Sequence, residues 1–171
     1  VRSRHGYFPG LARLASGEIL ALFVIAEAFE AADGTAWAAR SRDLGRSWEL
    51  EGPLLAPELR RSAAGLPASD YLKPAAFRDG TIAALGYRFQ RDDPDRGIGI
   101  EATGGLLPGD DIAVFSRDGG RTWTAPAVIP RTRPELYEIS GPALELRSGD
   151  LIAAAAPLLM PDGGNPSGQA G

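Results

Sequence analysis

The sequence has no cysteine, which excludes disulfides and thiolate metal sites and leaves the redox compartment unmarked. Histidine occurs once, as His5, and reads as a solvated side chain rather than a catalytic one. Lysine is equally scarce: Lys73 is the only one among 18 basic residues. There is no excess of positive charge. A net charge of −4 and a pI near 5.1 argue against nucleic acid as the main partner. No apolar run reaches the ~18 residues of a membrane span. The longest, Ile19 to Ala26, reads as a buried strand, and no convincing helix is visible. The chain does not open on Met and shows no leader. It closes on a loop, Asn165-Pro166-Ser167-Gly168-Gln169-Ala170-Gly171. It reads as a piece cut at both ends, so secreted, periplasmic and cytoplasmic locations all stay open.

What is present is a repeat. Ser41-Arg42-Asp43-Leu44-Gly45-Arg46-Ser47-Trp48 returns as Ser116-Arg117-Asp118-Gly119-Gly120-Arg121-Thr122-Trp123. Such self-similarity signals a repeat architecture. The pattern also has a mechanism. The Asp carboxylate caps a tight turn on nearby N–H groups, and the Gly takes positive φ. The Trp ring is expected to pack against a neighbouring sheet.

Three units of one grammar surround these motifs. Each has a strand, a Gly turn and a strongly apolar return strand: Tyr7 to Leu14 then Glu18 to Ala26, Tyr71 to Arg78 then Thr81 to Phe89, and Glu138 to Arg147 then Asp150 to Ala156. In the first two, a third strand (Gly34 to Ser41, Asp111 to Ser116) runs into the motif and a fourth (Trp48 to Leu54, Trp123 to Ile129) leaves it. Ser-Gly and Asp-Gly turns between β-rich runs signal hairpins. Repeated four-stranded antiparallel units are the blades of a β-propeller. The fold class is all-β, with about two and a half blades: roughly residues 5–56, 69–131, and the start of a third over 134–171.

The motif resembles the Asp-box, or BNR repeat, of the sialidase superfamily, Ser-x-Asp-x-Gly-x-Thr-Trp, with Ser47 standing for Thr in the first copy. The resemblance implies a partial six-bladed propeller. It also implies that Ser41, Asp43, Gly45, Trp48, Ser116, Asp118, Gly120 and Trp123 are architectural. The parent protein would be about twice this length or more, at ~40–50 residues for a plain blade plus loops.

Strand parity divides the two ends of the sheets. The Gly turns and both motifs fall at one end. The first-strand lead-ins and the second-to-third strand loops fall at the other, and there most of the unusual polar and aromatic residues collect. That end is the expected ligand site, with Tyr7, Glu27, Asp33, Lys73, Arg88 and Glu138 pointing into one concavity. The resemblance assigns Glu27 and Asp33 to acid/base chemistry and keeps Glu138 as a further catalytic carboxylate. Tyr7, Lys73 and Arg88 are its substrate contacts. Tyr7-Phe8-Pro9 stands where sialidases carry Arg-Ile-Pro, and Ala26-Glu27-Ala28-Phe29 keeps the Glu of Ala-Glu-x-Arg without its Arg. Plainer readings accompany these: Glu27 as a strand-end cap, Asp33-Gly34 as a turn dipeptide, Glu138 as a strand-edge carboxylate. Arg91-Asp92-Asp93-Pro94-Asp95-Arg96 reads as a solvated rim loop. The aspartates there lack EF-hand spacing, and no metal or cofactor is assigned.

Two functions follow from the resemblance. One is a sialidase-like glycoside hydrolase, exo-acting on glycans or glycoconjugates, sialosides among them, which needs paired carboxylates or a Tyr with a carboxylate. The other is a non-catalytic Asp-box propeller that binds glycan or protein.

Overall fold

The computed structural model describes residues 5–164. The first sheet holds β1 (His5–Arg13), β2 (Ile19–Ala26), β3 (Thr35–Ser41) and β4 (Glu49–Pro53) as an antiparallel meander. A single 3₁₀ turn, Pro57–Leu59, lies in the connection. The second sheet opens with β5 (Ser69–Ala76) and β6 (Ile82–Phe89). A small hairpin, β7 (Gly99–Ile100) with β8 (Gly105–Leu106), interrupts it. It then continues with β9 (Gly109–Ser116) and β10 (Ala127–Val128), in the order β10-β9-β6-β5. A third unit pairs β11 (Tyr137–Ile139) with β14 (Ala155–Pro157), and β12 (Leu144–Glu145) with β13 (Leu151–Ile152). These are propeller blades, and among the described residues there is no α-helix. No helix is long and apolar enough to cross a membrane.

Two expected strands and one expected loop change shape for identifiable reasons. The fourth strand of the second sheet shrinks to Ala127–Val128, because Pro126 has no N–H to give the ladder. Gly141-Pro142 splits the first strand of the third unit in the same way. The insertion from Gln90 to Asp110 is no plain loop: Ile98 and Leu107 enter a core.

Alternation explains the cores. Leu20 and Leu22 of β2 and Ala36 and Ala38 of β3 share one face. They pack with Leu72, Ile82, Ala84, Ile112 and Val114 of the second sheet. The same face of β3 carries Arg40, whose side chain is fully buried. Its Nε and Nη2 donate to the Glu51 carboxylate at 2.5 and 3.1 Å, and Nη2 also donates to the Gly119 carbonyl at 2.8 Å. The second repeated turn is thereby fastened to the first sheet. A Cβ at Gly120, which sits at φ +84, would lie 2.9 Å from Leu20 Cδ2, so that contact demands glycine.

Both repeated turns share one hydrogen-bond scheme. Asp43 accepts from the Ser47 N–H (2.8 Å) and hydroxyl (2.6 Å), and Asp118 accepts from the Thr122 N–H (2.9 Å) and hydroxyl (2.5 Å). Ser41 and Ser116 each donate to their Asp at 2.8 and 2.7 Å. The hydroxyl of Ser47 in particular holds Asp43 down at about 2, and Thr122 likewise pulls Asp118 well below its usual range. The tryptophans differ. Trp123 packs against the inter-sheet core as expected. Trp48 does not: it is 44% exposed and folds back on its own turn, Nε1 donating to the Gly45 carbonyl at 3.1 Å. No sheet among the described residues covers it.

Two outcomes are expected. Trp123→Ala lowers unfolding free energy by about 3 kcal/mol as truncation of a partly buried aromatic packed on the core, and Trp48→Ala by less than about 1 kcal/mol; equal losses in urea unfolding would refute the asymmetry. Depressed carboxyls contribute stability above their unfolded pKa of about 3.9 and lose it as pH falls. Wild-type Tm therefore drops between about pH 4 and about 2, as the turns protonate. A double Asp43→Asn, Asp118→Asn variant starts lower at pH 7 and falls less steeply; parallel curves would contradict the assignment.

Candidate functional site

The register settles the geometry of the two ends. Ile19 faces Ser41 and Ile82 faces Ser116, so both repeated turns lie at one end. His5 faces Ala26, Phe89 faces both Ser69 and Gly109, and Tyr137 faces Pro157 at the other. Tyr7, Glu27, Asp33 and Glu138 belong to this second end, Lys73 lies mid-strand on β5 opposite Leu85, and His5 is exposed at the start of β1.

Two groups of side chains meet there. The first is a small cleft of about 50 Å³ lined by Phe8, Tyr71, Lys73, Tyr87, Glu138 and Ser140. Lys73 is buried, donates to the Phe8 carbonyl and sits 5.4 Å over the Phe8 ring. Burial lowers its pKa, and the facing Glu138 works against that shift. Tyr71 and Tyr87 stack at 4.9 Å, and burial pushes both phenols up.

The second group is the rim. Asp33 accepts the Glu27 N–H with both oxygens, at 3.1 and 3.2 Å, which closes the β2–β3 loop. The Tyr7 ring packs on Phe8 and Phe29, each at 5.2 Å, and on Tyr71 at 6.3 Å. Burial raises the Tyr7 phenol, and the charges of Asp33 and Glu30 add to the shift. Phe8 and Tyr71 join the rim to the cleft.

The approach of β1 to β5 produces this arrangement. β1 bulges between Tyr7 and Gly10, and Phe8 takes φ 54. A Cβ at Gly10 would stand 2.9 Å from Pro74 Cδ, so the two inner strands meet at a glycine. A bulky residue at positive φ costs of order 1–3 kcal/mol, and such strain clusters at functional sites.

One expected contact is corrected. Arg88 is not in the concavity. Tyr87 faces the cleft, so alternation turns Arg88 to the opposite sheet face. There it is buried against Asp70, with Nε–Oδ1 at 2.6 Å and Nη2–Oδ2 at 2.8 Å, and Nη2 also donates to the Leu59 carbonyl at 2.8 Å. The rim-loop reading of Arg91 is also corrected. This residue is 1% exposed and donates to Ser69 Oγ (2.8 Å), to the Arg96 carbonyl and to the Glu30 carbonyl (3.0 Å). Sequence reasoning passed over Glu30, Tyr87 and Arg91. Alternation carried past the end of β6, through 87, 89 and 91, would have placed Arg91 inward; nothing in the sequence marks the φ of +60 at Glu30. A more open groove of about 290 Å³ beside the second repeated turn, lined by Phe115, Arg117, Thr122, Trp123 and Thr124, has no lining carboxylate.

No protein-family profile and no curated protein matches this sequence. Solved structures do. A protein of unknown function from Dyadobacter fermentans DSM 18053 superposes with a TM-score of 0.65 at 20% identity, over 86% of this chain and 45% of that one. A Hadza microbial sialidase gives 0.63 at 23% identity, over 92% of this chain and 33% of its own. The NanB sialidase of Streptococcus pneumoniae gives 0.59 at 12% identity, over 91% and 41%. The chain has the sialidase-like fold, and it spans less than half the length of these structures.

Arg88→Met removes the side chain that donates both hydrogen bonds to the buried Asp70 carboxylate. Urea unfolding is expected to register a loss of about 3–5 kcal/mol. A loss under about 1 kcal/mol would place Arg88 outside a buried pair.

Proposed function

We propose that this chain forms part of the site of a sialidase-like glycoside hydrolase that acts on glycans. The observation that carries the reading is a cleft in which Glu138 and Lys73 meet Phe8, Tyr71 and Tyr87, with Tyr7 and the Asp33-closed β2–β3 loop on the adjoining rim. The rim lies at the end of the sheets opposite the repeated Asp turns. Glycoside cleavage needs carboxyl groups that deliver and accept protons around an anomeric carbon. Aromatic rings and a positioned cation suit the apolar face and hydroxyls of a sugar. Sialidases among the solved neighbours support the same chemistry. In this reading the repeated turns are Asp-boxes with a structural role. Asp33 and Glu27 are the proton-transfer carboxylates of the β2–β3 loop, Glu138 is a carboxylate across the cleft, and Tyr7 and Lys73 contact substrate.

A second reading is a non-catalytic propeller that binds glycan at the same end. The small volume of the cleft, about 50 Å³, favours it. One experiment separates the two. The full-length parent protein, rather than this piece alone, is assayed on 4-methylumbelliferyl N-acetylneuraminide and on the galactoside and glucoside, alongside calorimetric titration with lactose and sialyllactose. The hydrolase reading expects turnover that falls ~10²–10⁴-fold in Asp33→Asn with Tm held, the usual contribution of a proton-transfer group. Binding without turnover establishes the second reading, and wild-type rates in Asp33→Asn remove Asp33 from the mechanism.

A further inference from the structure

We propose that the β4–β5 connection carries an anion site, separate from the cleft, whose ligand is a compact oxyanion: a sulfate, phosphate or carboxylate group. The site binds and takes no part in bond cleavage, so it does not depend on the hydrolase reading above.

The place is a cavity of about 150 Å³ lined by Thr35, Pro57, Arg60, Arg61, Pro67 and Ala68. Thr35 opens β3 opposite Ile25, at the end of the sheets away from the repeated turns. The cavity shares no lining residue with the cleft of Phe8 and Lys73. Liquid water takes about 30 Å³ a molecule, so there is room for a five-atom oxyanion. Three observations point to one.

The first is charge. Arg60 and Arg61 are adjacent, and among the described residues neither forms an ion pair with a carboxylate. Arg40, Arg42, Arg78, Arg88, Arg96 and Arg131 each do. No acidic side chain lines the cavity, and Glu58 on the neighbouring 3₁₀ turn is exposed. Asp70 lies within electrostatic reach of Arg60, but both its oxygens accept from Arg88. The charge that faces the cavity is therefore positive.

The second is an unused donor. Arg60 Nη1 donates to Thr35 Oγ1 at 3.2 Å, and the Thr35 hydroxyl donates onward to the Asp33 carbonyl at 3.1 Å. Arg60 Nε is buried and has no acceptor among the described residues. A buried charged donor without a partner is destabilising, and a ligand that brings an acceptor removes that penalty. The planar fork of a guanidinium matches two oxygens of one oxyanion.

The third is rigidity. The Ala68 N–H donates to the Arg60 carbonyl at 2.9 Å, Ser62 to Leu66 at 2.8 Å and Gly65 to Ser62 at 2.9 Å. Arg88 reaches over from the second sheet to the Leu59 carbonyl at 2.8 Å. Arg61 Nη1 is steadied on the Gly65 carbonyl at 2.7 Å. Pro57 and Pro67 wall the cavity with fixed φ. Guanidinium groups held this way lose little freedom when an anion arrives.

Two sources can carry such a group: a free inorganic anion, or a charged substituent on a glycan. The recognition chemistry is the same for both, and the test separates them. The full-length parent protein is titrated calorimetrically with sodium phosphate, sodium sulfate, galactose 6-sulfate and galactose at constant ionic strength. In parallel, ¹H–¹⁵N spectra follow the Arg60 Nε–H signal, identified by its absence in Arg60→Lys. Saturable binding of the anions is expected, with the Arg60 signal moving as the site fills. Arg60→Met and Arg61→Gln are each expected to weaken binding ~10–100-fold, the usual effect of losing one charge-assisted hydrogen bond. Arg117→Gln, in the second repeated turn, leaves it unchanged. Arg61 is exposed, so its variant decides the matter even where Arg60→Met does not fold. Tighter binding of galactose 6-sulfate than of inorganic sulfate supports the site with a glycan as its source. Equal or tighter binding of the inorganic anions supports it with the free anion as its source. No saturable binding of any anion, an Arg60 signal that moves with galactose alone, or affinity that survives both arginine variants overturns the proposal. Each of these results leaves the hydrolase reading as it stands.

Discussion

Everything at the site end depends on how the first two sheets lock together. An antiparallel sheet that is apolar on a face must bury it, and here the partner is the next sheet rather than a helix. Leu20 and Leu22 from one side meet Ile82, Ile112 and Val114 from the other. Dispersion and burial supply the attraction but no direction. Arg40 supplies the direction. Fully buried, it spends its guanidinium on Glu51 within its own sheet and on the Gly119 carbonyl of the other. A charge so placed tolerates little sliding, because any shift leaves it buried and unpaired.

The same rigid-body relation appears at the opposite end with different chemistry. There β1 bulges, β5 closes on Gly10, and Phe8 is pressed into a left-handed backbone under the Lys73 ammonium. Arg91 repeats from the second sheet what Arg40 does from the first, a buried guanidinium that reaches across to a backbone carbonyl. One arginine holds a structural turn. The other holds the loop that carries Glu27, Glu30 and Asp33. Stability and the candidate chemistry are therefore separated along the strands but joined through the same inter-sheet packing.

Much of this was legible in the sequence. The repeated Ser-Arg-Asp motif located two turns whose hydrogen bonds match in detail, and Gly17, Gly80 and Gly149 marked the hairpins, all at positive φ. Parity put Tyr7, Asp33 and Glu138 at the end opposite the repeated turns, and the register agrees. It failed where it was applied to whole segments rather than to single residues. Arg88 is one position from Tyr87 and so faces the other way, into the Asp70 pair. Arg91 was hidden by its charged neighbours, since Asp92, Asp93 and Asp95 are exposed and the run reads as a solvated loop. The strain at Phe8 and Glu30 arises from contacts between sheets, which local sequence does not encode. Trp48 and Trp123 occupy the same motif position and differ because only one of them meets a neighbouring sheet.

The central claim is that the two ends of these sheets are divided, one for ligand and one for architecture. Amide chemical-shift mapping of the ¹⁵N-labelled full chain with lactose and with sialyllactose tests it most directly. The account predicts perturbations at Tyr7, Phe8, Glu27 to Gly34, Lys73, Arg91 and Glu138, with the segments 41–48 and 116–123 undisturbed. Saturable perturbations confined to those two turns would contradict it.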